Sequence, residues 1–223
     1  MTSKSVLIRE TFPVGPLQCN CTIIGDPITK KAIVVDPGGN PDLIMARLEA
    51  HGLKVVSIIH THAHLDHFLA SGQMKEKTGA TLHLHKEDQF LWDNLEMQCS
   101  MFGVPYTPVP APDKWLADDE ELACGCGVAL HTPGHTPGSM SFWFEDAKLL
   151  IAGIQHHGWV VVGLLDDDRR KHGARVGSVP VLGSLDSAPR WAALHGITHV
   201  IVAMPSVTPT ERRRALDLAA ATH

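Results

Sequence analysis

The chain has 223 residues, 44% of them hydrophobic, with a formal net charge of -5. That length suits one sizeable domain with its own core and not two large ones, so a single domain over 1–223 is the expectation. No basic stripe is present to meet a phosphate backbone, which argues against a nucleic-acid partner, and charged or turn-forming residues interrupt every apolar run before it could cross a bilayer.

The opening MTSKSVLIRE lacks the continuous apolar run of a signal peptide, so a cytoplasmic protein is expected. Five cysteines, Cys19, Cys21, Cys99, Cys124 and Cys126, make an odd count without secretory context and read as reduced thiols. Cys19 with Cys21, and Cys124 with Cys126, could each bind a metal as a pair. A buried strand cysteine beside one in a turn is the favoured reading, with Gly125 and Gly127 marking the second pair as hairpin-like.

In chain order, Val6 to Phe12, Cys21 to Gly25 and Ala32 to Asp36 are β-rich runs separated by Pro/Gly turns, the third closed by Asp36-Pro37-Gly38-Gly39. A helix is predicted from Pro41 to His51, with Asn40 placed to cap it, Pro41 in its first turn and Gly52 as the stop. Lys54 to Ile59 is a buried strand. Phe68 to Thr78 reads as a helix, Thr81 to His85 as a strand, and Lys86 to Met101 as a longer helix whose apolar stripe is Phe90, Leu91, Leu95 and Met97. Short strands return from Glu121 to Ile151, and the mixture predicts an α+β protein of two sheets covered by helices. After Gly153 the text turns rich in Gly, Val and Arg with no clear period, so 154–187 stand apart. Ala188 to His195 is then predicted helical, Thr198 to Ala203 extended, and Pro209 to Ala221 helical behind Thr208.

The strand ending at Ile59 runs into Thr61-His62-Ala63-His64-Leu65-Asp66-His67. Imidazole and carboxylate suit Zn²⁺, Fe²⁺ or Mn²⁺, and the absence of thiolate from the run points to an open catalytic site over a closed structural zinc. If the chain stays extended past Ile59, residues two apart project to one side, so His62 and His64 can converge on one ion. Asp66 and His67 come where the backbone turns into a helix and can serve a neighbouring position, so two adjacent metals are implied. A third donor for the first position must come from elsewhere. His135 is the outstanding candidate, because Thr132-Pro133-Gly134-His135-Thr136-Pro137-Gly138-Ser139 is a tight loop directly after the strand Val128 to His131. His60, His83, His85, His195 and His199 read as core or solvated residues. Two ions would bring a bridging water toward neutrality and polarise a substrate carbonyl, with Asp66 orienting the nucleophile as well as binding metal.

Taken together, T-H-A-H-L-D-H and T-P-G-H-T-P-G-S resemble the signature of the metallo-β-lactamase superfamily, and in particular its small glyoxalase II-like (hydroxyacylglutathione hydrolase-like) hydrolases. The match covers roughly residues 6 to 153 and includes Cys19-Asn20-Cys21, Val35-Asp36-Pro37-Gly38-Gly39, Met101-Phe102-Gly103 and Leu149-Leu150-Ile151-Ala152-Gly153. The resemblance implies a four-layer αββα sandwich with metals at one edge and hydrolysis of a small-molecule thioester, such as a glutathione-linked acyl group, with one or two zinc ions. It also exposes two departures: where the family places a bridging aspartate this chain has Ile154, and where it places a late histidine this chain has Pro205. The second position then keeps Asp66 and His67 alone.

Several readings follow from that loss. One metal held by His62, His64 and His135 could suffice. His156, His157 or one of Asp166, Asp167 and Asp168 could replace the missing ligands, although a solvated acidic turn explains that triplet. Alternatively, the segment after Gly153 is foreign to the fold, as in a splice or frame variant, leaving an inactive metal-binding relative. A mononuclear iron persulfide dioxygenase-like oxidoreductase is the remaining alternative, and it needs the carboxylate absent at Ile154. Thioester hydrolysis is the leading reading. Glu211-Arg212-Arg213-Arg214 resembles a basic segment near the substrate pocket of some relatives, with an exposed helical face as the simpler explanation.

Overall fold

The β-branched runs of the first half become one sheet with both faces covered. The computed structural model describes residues 7–125, 127–144, 149–152, 162–173, 175–176, 179–197, 200, 202 and 208–222. Its first sheet holds six strands in sequence order: β1 (Ile8–Val14), β2 (Cys19–Gly25), β3 (Lys31–Val35), β4 (Lys54–Ile59), β5 (Thr81–His85) and β6 (Lys114–Leu116). The first three pair antiparallel, and β3 to β6 pair parallel. Parallel neighbours require long return connections. Between β3 and β4 the return is α1 (Pro41–Ala50), and between β4 and β5 it is α2 (Leu65–Phe68) and α3 (Ser71–Thr78). The third return carries a 3-10 turn (Lys86–Asp88), α4 (Gln89–Asp93) and α5 (Leu95–Phe102).

Alternation along each strand divides the core in two. Ile23, Val34, Ile58 and Leu82 pack with the helix residues Ile44, Leu48, Phe68, Met74, Trp92 and Leu95. Their neighbours Ile24, Ile33, Val35 and Ile59 face the other way, against Ala129, Met140, Phe142, Phe144 and Ile151. Those last residues belong to a four-stranded antiparallel sheet, β7 (Glu120–Glu121), β8 (Val128–His131), β9 (Met140–Phe144) and β10 (Leu149–Ala152), in the order β10-β9-β8-β7. Successive side chains on opposite faces, both buried, explain why β2 to β4 are apolar on both sides for most of their length. Each such Ile, Val or Phe contributes about 1.5–3 kcal/mol by leaving water.

The chain divides into two compact units, 1–156 and 157–223. Within the second, β11 (Leu164–Leu165), β12 (Arg175–Val176) and β13 (Val179–Gly183) form a small sheet ordered β11-β13-β12, followed by α6 (Ala188–His195) and α7 (Pro209–Ala220). Gly196 ends α6 in the left-handed conformation. A capping box begins α7: Thr208 accepts from the Glu211 backbone while the Glu211 carboxylate accepts from the Thr208 backbone. No helix among the described residues is long and apolar enough to cross a membrane. The predicted strand over 198–203 falls largely outside the described residues.

Four local expectations are corrected. Asn40 sits at the start of α1 in the left-handed region and makes no side-chain cap; its Oδ1 instead accepts from the Gly15 backbone at 2.7 Å, tying the β1–β2 turn to the helix. The single helix expected over 68–78 is two, because the Ala70 N–H donates to the Pro37 carbonyl at 3.0 Å and not back along its own helix. The helix expected over 86–101 breaks at Asn94, whose Nδ2 donates to the Phe90 carbonyl at 2.6 Å, the acceptor its own N–H would need for a continuous helix. The break turns Trp92, Leu95, Gln98 and Cys99 inward and leaves Phe90 and Met97 exposed at 52% and 57%. Finally, Cys19, Cys21 and Cys99 are free and buried, as reduced thiols should be, but Cys124 is disulfide-bonded. Cys124 lies half-buried in a turn, whereas the three free thiols are packed in a strand and a helix.

His60 shows how a core histidine is satisfied. Its Nδ1–H donates to the His83 carbonyl at 2.8 Å and its Nε2 accepts from the Ser71 hydroxyl at 2.7 Å, a pairing that requires the neutral ring. Burial pushes its pKa down to about 4. Because the unfolded imidazole titrates at about 6.5, acid protonates the unfolded chain first. Stability should therefore be intact above pH 6.5 and fall by about 3 kcal/mol between there and pH 4. Denaturant titrations across that window should show the slope, and His60→Asn should flatten it.

Candidate metal centre

Asp36 sets the exit of β4. Its carboxylate accepts from the Thr61 backbone N–H at 2.8 Å and from the Thr61 hydroxyl at 2.7 Å, and its own N–H donates to the Ile59 carbonyl at 3.1 Å. After a bend at Thr61 the chain runs without regular structure to His64, itself extended (φ -76, ψ 145), where α2 starts. His62 and His64 come together there, with ring centroids 4.8 Å apart. From the second sheet, the turn after β8 closes through Thr132 N–H to the Ser139 carbonyl at 2.9 Å and delivers His135. The His135 ring lies 4.7 Å from that of His62 and 4.7 Å from that of His64.

One nitrogen from each of these three rings falls within 4.8 Å of the others, and His64 Nδ1 lies 3.0 Å from His135 Nε2. Two imidazoles sharing a tetrahedral zinc place their nitrogens about 3.3 Å apart. The donor set therefore fits a divalent ion. His62 is buried, His64 half-buried and His135 exposed, so the group opens to solvent on one side. Burial, then the neighbouring His135, holds the His64 imidazole below its usual pKa, which keeps its lone pair available at neutral pH.

Asp66 and His67, in the first turn of α2, form a second group with Cys19, all three buried. The His67 ring is 3.9 Å from that of His62, so the two groups adjoin. His67 Nδ1 faces Asp36 Oδ2 at 3.0 Å, and its Nε2 lies 3.5 Å from Asp66 Oδ2. Burial by itself lowers the His67 pKa, but the charge and hydrogen bond of Asp36, with Asp66 behind them, outweigh it and raise the value. The Cys19 sulfur is 3.5 Å from His67 Nδ1. Burial, then the carboxylates of Asp36 and Asp66, pushes its thiol far up, so it is neutral in the metal-free protein. Cys19 thus lies beside the histidine run.

Gly38 brings this second group close to β2. A Cβ there would stand 1.5 Å from the Asp66 carbonyl oxygen. Gly38→Ala should destabilise the fold by about 3 kcal/mol and reduce metal uptake by displacing the first turn of α2, which thermal denaturation and metal analysis would read.

Ile154 and Pro205, the two departures from the family pattern, lie outside the described residues, as do His156 and His157. Asp166, Asp167 and Asp168 are engaged within the second unit: Asp166 with Lys171 at 2.6 Å, Asp167 with Arg214 at 2.7 Å and Asp168 with Arg170 at 2.8 Å. Arg214 also reaches Asp186 at 2.7 Å, and Arg213 pairs with Asp217 along α7. Arg213 and Arg214 of the basic segment thus contribute ion pairs to their own unit.

His85, Glu87 and His131 form a third close group. The two rings stack at 4.0 Å with only 18° between their planes, so one ion between them would lie out of the plane of each ring, which disfavours shared coordination. His131 instead donates through Nε2 to the Pro137 carbonyl at 2.9 Å, supporting the loop that carries His135. Asp88 and Gln98, which bond to the ligand loops, were not legible from the sequence. The available signal was a polar residue on the inward side of an otherwise apolar helical segment.

The profile of the Metallo-beta-lactamase superfamily matches residues 14–153. Hydroxyacylglutathione hydrolase GloC of Haemophilus influenzae is 34% identical over 148 residues, which are 65% of this chain and 69% of that protein. The probable metallo-hydrolase YqgX of Bacillus subtilis is 37% identical over 147 residues, 64% of this chain and 68% of that one. Among solved structures, the BLEG-1 B3 metallo-beta-lactamase aligns with a TM-score of 0.58 at 27% identity, covering 64% of this chain and 70% of that one.

Proposed function

Since this chain belongs to the metallo-β-lactamase superfamily, we propose that it is a metal-dependent hydrolase of small-molecule thioesters, of the hydroxyacylglutathione type. The observation that carries this reading is the convergence of His62, His64 and His135 beside Asp66 and His67, on a group open to solvent. A relative named for hydroxyacylglutathione hydrolysis, 34% identical, supports the substrate class.

His62, His64 and His135 would hold the first ion, and Asp66 and His67 would serve an adjoining second position. Zinc suits this set, and Fe²⁺ or Mn²⁺ fit the same donors. A divalent ion there supplies Lewis acidity, which brings the pKa of water toward neutrality and polarises an acyl carbonyl. The chain's own groups do the remaining work. Asp66 belongs to the second donor group, whose His67 ring adjoins that of His62, and from there its carboxylate would orient the attacking water as well as hold metal. Asp36 holds His67 by Nδ1, which leaves Nε2 directed at Asp66 and the ion position. The exposed side at His135 admits the thioester.

Metal analysis joined to a thioester-hydrolysis assay tests the reading. Bound divalent metal with turnover of a glutathione thioester supports it. Tight metal without turnover would favour a binding module, and dioxygen consumption with a persulfide would favour the iron oxidoreductase; either result sinks the thioesterase assignment.

A further inference from the structure

Asp88 ends the 3-10 turn that follows β5, and it is fully buried, with 0% of its surface exposed. A buried carboxylate persists only where donors surround it. Its donors come from two separate loops. Oδ2 accepts from the Ala63 N–H at 3.1 Å and from the Thr136 hydroxyl at 2.7 Å, and Oδ1 accepts from the Gly138 N–H at 2.7 Å. Ala63 stands between His62 and His64, and Thr136 directly follows His135. The carboxylate is therefore bonded one residue away from each of the three converging imidazoles.

The surroundings are built for this contact. A Cβ at Gly138 would sit 2.7 Å from the Asp88 carboxyl carbon, so glycine is required for the loop to come this close. On the other side of the same loop, Gln98 accepts from the Leu65 N–H at 2.9 Å and donates to the Ala63 carbonyl at 3.1 Å. Gln98 thus grips the two peptide groups flanking His64 and Asp88 the one before them, and of the two side chains Asp88 also reaches across to the His135 loop.

We propose that Asp88 is a positioning residue for the metal centre, its carboxylate setting the separation of His135 from His62 and His64 and thereby the affinity and geometry of the first-site ion. The inference rests on reading those three histidines as metal donors. All three partners of Asp88 are donors, so both oxygens must accept. Asparagine has one acceptor oxygen, and in either orientation its amide NH₂ meets an N–H or O–H that needs an acceptor. The loop on that side loses its tether to Asp88, and the separation of the three nitrogens shifts.

The test uses the full chain and zinc itself. Wild type, Asp88→Asn and Thr136→Val, which removes one donor and keeps the carboxylate, are compared by zinc titration against a chelator, by the visible spectrum of the cobalt-substituted protein, and by denaturation of the metal-free form. Asp88→Asn is expected to weaken zinc binding by about 10–100-fold and to change the cobalt spectrum, with Thr136→Val shifting both less and in the same direction. A purely structural role would lower metal-free stability alone. Unchanged zinc affinity and cobalt spectrum in folded Asp88→Asn would therefore overturn the proposal. If Asp88→Asn does not fold, Thr136→Val decides by the same two readouts. Failure of the wild type to bind zinc overturns the metal-site reading with it, whereas a zinc-binding wild type matched by both variants overturns only the role of Asp88.

Discussion

Alanine at His64 or at His135 should strip the first-site ion and abolish thioester turnover while leaving the fold in place. His135 is exposed and His64 half-buried, so neither truncation opens a large cavity. Each supplies one of three nitrogens lying within 4.8 Å of one another, and a centre left with two cannot hold the ion at ordinary concentrations. Loss of an outer partner already costs about 10–100-fold in metal affinity, so loss of a donor should cost on the order of 100-fold or more. Metal content after gel filtration checks this directly. Full retention of metal in both variants would remove these residues from the site.

Asp36→Ala should be the most damaging single change to stability. The carboxylate is 2% exposed and serves the Thr61 N–H, the Thr61 hydroxyl and His67 Nδ1. Removing it leaves buried donors and a buried imidazole without their acceptor, a loss of about 3–5 kcal/mol. Asp36→Asn should lose less. The pair also has a signature in pH. The His67 pKa is raised in the folded metal-free protein, so its contribution is fully present below the unfolded value of about 6.5 and is lost as pH rises through the folded value. In Asp36→Ala that decline should vanish, and denaturant titrations of the metal-free protein on either side of neutrality would show it.

What could be read from the sequence was whatever depends on neighbours in the chain. The strand at 54–59, the strand at 81–85 and the helix at 188–195 have the limits that their apolar runs and flanking glycines suggest. A spacing of two was enough to anticipate that His62 and His64 come together, and a Pro-Gly loop was enough to single out His135. The misses share another cause. At Asn94 a side chain competes with its own backbone for one carbonyl, and at Ala70 an amide leaves its helix for Pro37; neither contest shows in hydrophobic period. Asp88 gathers donors from 25 to 50 residues away, and Cys19 meets His67 across 48. Such long-range partners have no local signature.

His62 and His64 follow a strand of the six-stranded sheet, whereas His135 follows a strand of the other, 71 residues beyond His64. An ion seated among them is therefore a cross-link between the two sheets, acting on the unfolding chain as a removable staple. Neither sheet can peel from the shared core without breaking coordination. Loading should raise resistance to proteolysis as well as the melting temperature, by about 2.7 kcal/mol when free metal stands at a hundred times its dissociation constant. Chelation would loosen the seam between the layers before it unravels either one, so metal supply would govern how long the protein survives as well as how fast it works.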